Sequence, residues 1–397
     1  MQTKAGDPGA FAHFDLSRVD SPAFVVDAAK LRANCRMLAA VRDAAAAEGA
    51  RIKVFAALKA FSMWSVAPII GEYLDGVATS GLWEARLASE FYAGEIATYS
   101  AAYKPEELEE ICRLSDHVIF NSPYQHQRAR PILDAAASSG TQVSVGLRIN
   151  PQVPTGEVAK YDPSAPCSRL GFPLDQLTKE HMEGIEGIHF HNLCEQDFVP
   201  LKITWERVFA AIEPYFAQLK WINMGGGHHI TRADYQRAEL IAFLKKAAQD
   251  TGCEIILEPG EAVALDAGIL VGTLLDTHFN GMLVGITDIS ATCHMPDVLE
   301  APYRPAMLGE REDPDIVPIR LGGPSCLAGD VIGDYRLPVP AEPGVRFAFL
   351  DQAHYTMVKT NTFNGVRLPS IWLWDSETDV LKCIKRFDYT DFRDRLS

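Results

Sequence analysis

Between Ser21 and Asp266, short apolar runs alternate with longer amphipathic ones. SPAFVVD reads as a strand and AAKLRANCRMLAAVRDAAAAEG, ending at Gly49, as a helix. The same alternation continues through RIKVFAALKA and MWSVAPIIGEYL, DGVATS and LWEARLASEFYAG, IATYSA and KPEELEEICRLS, and HVIFNS and YQHQRARPILDAAASSG. QVSVGLRIN, EGIHFHN, LKWINMG and CEIILEP follow, each β-rich and each ending in polar residues or glycine. A βα rhythm of roughly thirty residues, repeated about eight times, predicts a parallel sheet with crossover helices. Its length fits an α/β (β/α)8 TIM-like barrel better than an open doubly wound sheet. After Asp266 the rhythm changes. GILVGTLLDTHFNGMLVGITDIS, DIVPIRLGGPS and VRFAFLDQA are apolar and β-branched, broken by Gly, Pro and Asp turns. They predict a C-terminal antiparallel β domain. The expected domains are therefore a barrel over 24–268 and a β domain over 269–397, the latter joined by the N-terminal segment 1–23.

Composition is that of a globular protein with a sizeable core: 397 residues, 47% apolar and 22% charged. No run has the length of a membrane span, and MQTKAGDPGAFAHFDL lacks a signal peptide's apolar segment, so a cytoplasmic location is expected. None of the eight cysteines forms a CxxC, which suggests neither a metal cluster nor a disulfide framework. A formal net charge of −15 argues against nucleic acid and anionic membrane as partners. It suits a cationic small substrate, and equally plain solubility.

Barrels gather their chemistry at the C-terminal ends of the strands. The polar residues there are Lys59 after VFAAL, Ser80 after GVAT, Arg148 and Asn150 in LRIN, His189 and His191 in GIHFHN, Gly225 to His229 in NMGGGHH, and Glu258 in ILEPGE. Lys59 either snorkels out at the strand end or has its charge consumed in a covalent bond, because a buried ammonium is costly. Gly225, Gly226 and Gly227 remove three side chains ahead of a helical run, which lets backbone N–H groups approach a phosphate; a tight βα turn explains them too. Glu258 could bind metal, act as a base or pair with a protonated ring nitrogen. His189 and His191, two apart on a strand, share one face and could serve a ligand or only neighbouring strands. In GGPSCLAGD, Cys326 could be an accessible acid or nucleophile, or a small buried hydrophobe.

The ordered set ALKA, GIHFHN, NMGGGHH, EPGE, GGPSCLAGD and HYTMVKTNTFNG resembles the fold-type III decarboxylases, the group of ornithine and diaminopimelate decarboxylases. Within it the chain is most similar to the carboxynorspermidine/carboxyspermidine decarboxylases, from about Ser21 to Asp375. The resemblance implies pyridoxal 5'-phosphate as cofactor and no metal. Lys59 would hold the cofactor as an imine, His191 would stack on its ring, and Glu258 would pair with the ring nitrogen. Gly225, Gly226 and Gly227 would cradle the phosphate with Tyr355 adding a hydroxyl, and Arg148 would buttress ring and histidine. Cys326 would come from the second copy of a head-to-tail homodimer and protonate the α-carbon after carbon dioxide leaves, with Asp330 facing the substrate amines.

Two departures bear on the substrate. Diaminopimelate decarboxylases carry EPGR, whose arginine helps to bind phosphate, and a Cys-Glu-Ser triplet. Here the chain has EPGE, whose Glu261 becomes a candidate for binding the substrate, and Cys326-Leu327-Ala328. Ornithine decarboxylases have aspartate after the cysteine, where this chain has Leu327. Cys194 also stands where relatives often have a phosphate-binding serine. A longer polyamine carboxylate fits the acidic stretch TDISATCHMPDVLEAPYRP, where Asp288, Asp297 and Glu300 could meet its ammonium groups; these are alternatively solvated loop charges. The expected reaction is decarboxylation of carboxynorspermidine or carboxyspermidine to norspermidine or spermidine. The alternatives are a diaminopimelate, ornithine or arginine decarboxylase, a non-catalytic pyridoxal-phosphate carrier, and a metal-dependent barrel hydrolase.

Overall fold

A computed structural model describes residues 6–156 and 159–397. The chain divides into two compact units, one of Asn34–Val263 and one that joins the N-terminal stretch up to Ala33 to Ala264–Ser397.

In the first unit, eight parallel strands close on themselves. They are Ile52–Ala57, Gly76–Thr79, Glu95–Tyr99, His117–Phe120, Ser144–Asn150, Gly187–His189, Trp221–Asn223 and Glu254–Leu257. Each pairs with its neighbours in chain order, and the last pairs with the first. The runs are short and almost continuously apolar because a barrel strand is buried on both faces. The interior is packed solid where Trp221 lies against Gly146 and Gly187: a Cβ on Gly187 would come within 2.0 Å of the indole.

The outer helices follow local rules. Pro105–Leu114 has proline in its first turn with Glu106 and Glu107, acids that favour the positive end of the helix dipole. Leu108, Ile111 and Cys112 form its buried stripe. Pro123–Ser138 starts at Ser122, whose side chain accepts from the Gln125 N–H.

The second unit is one sheet. Its order is Val331–Tyr335, Ile319–Gly322, Met282–Thr287, Gly268–Asn280, Ala23–Asp27, Ser370–Asp375 and Val380–Lys385, with Arg346–Leu350 also paired to Gly268–Asn280. Most pairings are antiparallel, as the sequence predicts, but two are parallel: Ala23–Asp27 with Ser370–Asp375, and Met282–Thr287 with Ile319–Gly322. The expectation that SPAFVVD opens the barrel is corrected here. That strand pairs with Gly268–Asn280 and Ser370–Asp375, so the first barrel strand is Ile52–Ala57. A fully buried apolar run satisfies either sheet, and nothing local distinguishes them. Phe11 and Phe14 of the N-terminal stretch pack on Trp374, with ring centroids 5.4 and 4.8 Å away. Among the described residues no helix is long and apolar enough to cross a membrane.

Candidate active site

The parallel strands of the barrel deliver their C-terminal ends to one rim. Lys59 stands there in the turn after Ile52–Ala57, which is pinned by Ala57 N–H to Pro259 O (3.0 Å) and Leu58 N–H to Ala78 O (2.9 Å). Solvent reaches the Lys59 side chain at the rim while protein crowds it elsewhere. That crowding, and next the Arg148 guanidinium, lower its ammonium's pKa; Cys194, Glu258 and Glu84 oppose the shift.

Glu258 ends Glu254–Leu257. Its Oε1 accepts from Asn223 Nδ2 at 2.6 Å, and its Oε2 lies 3.3 Å from His189 Nε2. Burial pushes the carboxyl up, but His189, Asn223 and Arg148 together outweigh it and hold the pKa below its usual value. The group is a half-buried carboxylate, held ionised by its neighbours.

His191 carries the opposite tendency. Burial, then the charges of Lys59 and Arg148, hold it well below the usual imidazole range, so the ring is neutral. The Gly226 N–H donates to Nδ1 at 3.0 Å, which leaves the proton on Nε2. Arg148 is buried, donates from Nη2 to the His191 carbonyl (2.9 Å) and lies over the Tyr99 ring at 4.5 Å.

The glycine turn lies between these groups. Gly225 N–H donates to Asn223 Oδ1 (2.9 Å), and the Gly225 carbonyl accepts from Glu258 N (2.8 Å). A Cβ on Gly226 would stand 2.1 Å from Glu258 O, and one on Gly227 2.0 Å from Leu193 O. Gly225 and Gly227 also take positive φ, 68° and 86°. Glycine is thus required at all three positions by close approach, and at two by conformation.

Lys59, Arg148, His189, His191, Gly225, Gly226, Gly227 and Glu258 form one constellation in the barrel unit. Ser80 and Asn150 serve the backbone: the Ser80 N–H donates to Glu84 Oε2 (2.7 Å), and Asn150 Oδ1 accepts from Gln152 N (2.9 Å). Glu261 is paired with His229, Oε2 to Nε2 at 3.1 Å. Three contributors escaped the sequence reading. Asn223 bridges Glu258 and Gly225, Tyr99 carries Arg148, and Glu84 sits within electrostatic reach of Lys59, its carboxyl raised by burial. Asn223 alone had a signal, as a polar strand end just before the glycines.

In the second unit Cys326 is exposed, with its N–H donating to Asn364 Oδ1 at 2.9 Å. Tyr355 has a positive φ of 48°. The acidic residues expected to face substrate have partners within the second unit. Asp330 is buried, and its carboxylate accepts from Ser290 Oγ (2.8 Å), Thr292 N (3.2 Å), Ser325 N (3.3 Å) and Ser325 Oγ (2.5 Å). It organises the GGPSCLAGD loop rather than projecting from it. Asp288 Oδ1 accepts from Thr273 N at 2.7 Å, and burial raises its pKa. Asp297 and Glu300 both hold Lys359, Glu300 at 3.0 Å. The physical reason is common to all: an acid folded against backbone or lysine donors satisfies itself locally, which an acidic run in sequence cannot reveal.

Comparison with known proteins decides the family. The chain is 38% identical over 387 residues, 94% of its length and 98% of the relative's, to a carboxynorspermidine/carboxyspermidine decarboxylase of Campylobacter jejuni. It belongs to the carboxynorspermidine/carboxyspermidine decarboxylase family. A carboxyaminopropylagmatine decarboxylase of Synechocystis is also 38% identical, over 391 residues that cover 96% of each chain. The crystal structure of Campylobacter jejuni carboxynorspermidine decarboxylase complexed with norspermidine superposes with a TM-score of 0.85 at 37% identity, covering 95% of this chain and all of the other. No family model matches the chain. Among the described residues, no group of three or more His, Cys, Asp or Glu is placed to hold a metal ion.

Proposed function

We propose that this chain decarboxylates carboxynorspermidine or carboxyspermidine, yielding the triamine and carbon dioxide, with pyridoxal 5'-phosphate as cofactor. The observation that carries the reading is the full-length match to a carboxynorspermidine decarboxylase whose structure holds norspermidine. The barrel residues fit the cofactor. Three glycines let the turn's backbone approach Glu258 and Leu193 closely, desolvation and Arg148 lower the pKa of the Lys59 ammonium, and a carboxylate held ionised suits a protonated ring nitrogen.

Lys59 would hold the cofactor's aldehyde through its ε-amine. Glu258, kept ionised by Asn223 and His189, would hold the ring nitrogen protonated. His191, neutral and fixed by Gly226, would present a flat uncharged face to the ring, and Arg148 would fix the backbone behind it. Gly225, Gly226 and Gly227 would take the phosphate, with Tyr355 contributing its hydroxyl. The cofactor supplies an electron sink for the pair left on the α-carbon when carbon dioxide departs. Cys326, accessible on its loop, would return a proton to that carbon from the second copy of a head-to-tail homodimer. A net charge of −15 favours the approach of a polycationic substrate. The reading also places the enzyme in the cytoplasm.

The Synechocystis relative, equally similar, supports a second reading: a substrate whose tail ends in a guanidinium rather than an ammonium. The deciding measurement is carbon dioxide release by the purified holoenzyme from carboxynorspermidine, carboxyspermidine, carboxyaminopropylagmatine, diaminopimelate, ornithine and arginine. The highest kcat/KM is expected on the first two. A clear preference for carboxyaminopropylagmatine selects the second reading, and release only from diaminopimelate, ornithine or arginine overturns both.

A further inference from the structure

Next to the glycine turn lies a pair, a buried histidine and a half-buried carboxylate, that the proposed chemistry does not use. His229, two residues beyond Gly227, is buried with its Nε2 3.1 Å from Glu261 Oε2. The two members come from the two loops that shape the cradle. The His229 N–H donates to Gln196 O (3.1 Å) and the Gln196 N–H to Gly227 O (3.1 Å), which locks the histidine to the turn. Glu261 follows three residues after Glu258, whose carbonyl would stand 2.1 Å from a Cβ on Gly226.

A carboxylate beside an anion cradle repels the anion unless a cation compensates it. Arg232, the other cation on this loop, is committed to Asp197 and Asp234. His228 is neutral, its pKa lowered to about 3 by burial and then by His229, and it bonds Tyr235 through Nδ1. Cys194 is a thiol, raised to about 11 by its surroundings first and then by Glu195 and Glu261. Burial alone would also neutralise His229; the carboxylate at 3.1 Å is what favours the imidazolium.

We propose that the His229–Glu261 pair is the charge device of the cradle: Glu261 keeps His229 protonated, and that imidazolium retains the cofactor's phosphate from behind the backbone N–H groups. The proposal rests on the reading that Gly225–Gly227 takes this phosphate. It gives EPGE a role where EPGR relatives supply arginine, and it removes Glu261 from the substrate. His229 is thus a positioning residue, and its protonation sets the pH range of cofactor retention. Binding is full while His229 is protonated and weakens as pH rises through its titration.

The test uses apo-protein titrated with pyridoxal 5'-phosphate and with pyridoxal, read by absorbance, from about pH 7 to about pH 9. The free hydroxymethyl of pyridoxal closes on its aldehyde as a hemiacetal, so each variant is compared with wild type on the same ligand, where that closure and the titration of Lys59 cancel. His229→Gln is expected to weaken the phosphorylated ligand about tenfold or more and leave pyridoxal unchanged. Glu261→Gln is expected to move the pH-dependent loss of the phosphate advantage to lower pH. Unchanged pyridoxal binding also certifies that each variant is folded. If His229→Gln weakens both ligands equally, or neither, the pair is structural and the proposal fails. If wild-type apo-protein binds pyridoxal as tightly as its phosphate, the cradle reading itself fails.

Discussion

The barrel rim and the loops of the second unit use their titratable residues in opposite ways. At the rim, Glu258, His189, His191, Arg148 and Lys59 perturb one another: neighbours outweigh burial at Glu258, whereas at His191 and Lys59 the nearby cations add to its effect. In the second unit, Asp330, Asp288, Asp297 and Glu300 each close on a local donor. The first arrangement ties each group's charge to the next, and the second holds loops in shape. A strand-end residue of a parallel barrel meets seven other strand ends whatever its own neighbours are, whereas a loop acid is free to satisfy itself.

The largest expected effects test the proposed lysine and thiol. Lys59→Ala should lower turnover on the order of 10⁴-fold or more and abolish the bound cofactor's colour. Cys326→Ala, as loss of a proton donor, should cost about 10²–10⁴-fold. Mixing the two inactive variants should restore part of the activity if each site draws its thiol from the other copy. No recovery after subunit exchange, in the presence of normal dimers, would sink the shared site.

A smaller effect separates structural from substrate acids. Asp330→Asn should lower stability by about 2 kcal/mol in denaturant titration, because its loop donors lose a charged acceptor. An unchanged midpoint with a raised KM would instead make Asp330 a substrate residue.

The units should also answer pH with opposite sign. Glu95, in the barrel, is held down to about 2, chiefly by His117 and with help from Lys53, although burial opposes it. Its contribution is present above the ordinary value of 4.5 and is lost as pH falls toward about 2. Glu95→Gln should therefore cost about 1–2 kcal/mol near neutrality, discounted for its partial exposure, and flatten the acid limb. Asp266, in the second unit, is raised to about 6 by burial and then by Asp351. Its contribution is full below 3.8 and lost as pH rises through about 6, so Asp266→Asn should stabilise the protein above that pH by about 1–2 kcal/mol. Unfolding midpoints measured across pH check both signs.

The smallest effect concerns Asp297 and Glu300. If they serve only Lys359, Asp297→Asn should change stability by about 0.2–1 kcal/mol and leave KM for the carboxylated triamine unaltered. A KM that rises markedly would return the pair to the substrate, with Lys359 as the group it displaces.

The sequence by itself determined much of the barrel and its rim. Period and length predicted parallel βα units, and most strand ends named a polar residue, because a parallel barrel turns position along a strand into position in space. Lys59, Arg148, His191, Gly225–Gly227 and Glu258 were legible for that reason. Only the tertiary structure decided which sheet takes Ala23–Asp27, since a continuous apolar run fits either. It alone gave Asn223 to Glu258, Tyr99 to Arg148 and Lys359 to the acidic pair. Those partnerships join residues distant in sequence through side-chain direction. Hydrophobic periodicity fixes which face a residue occupies but not the atom its polar end will meet.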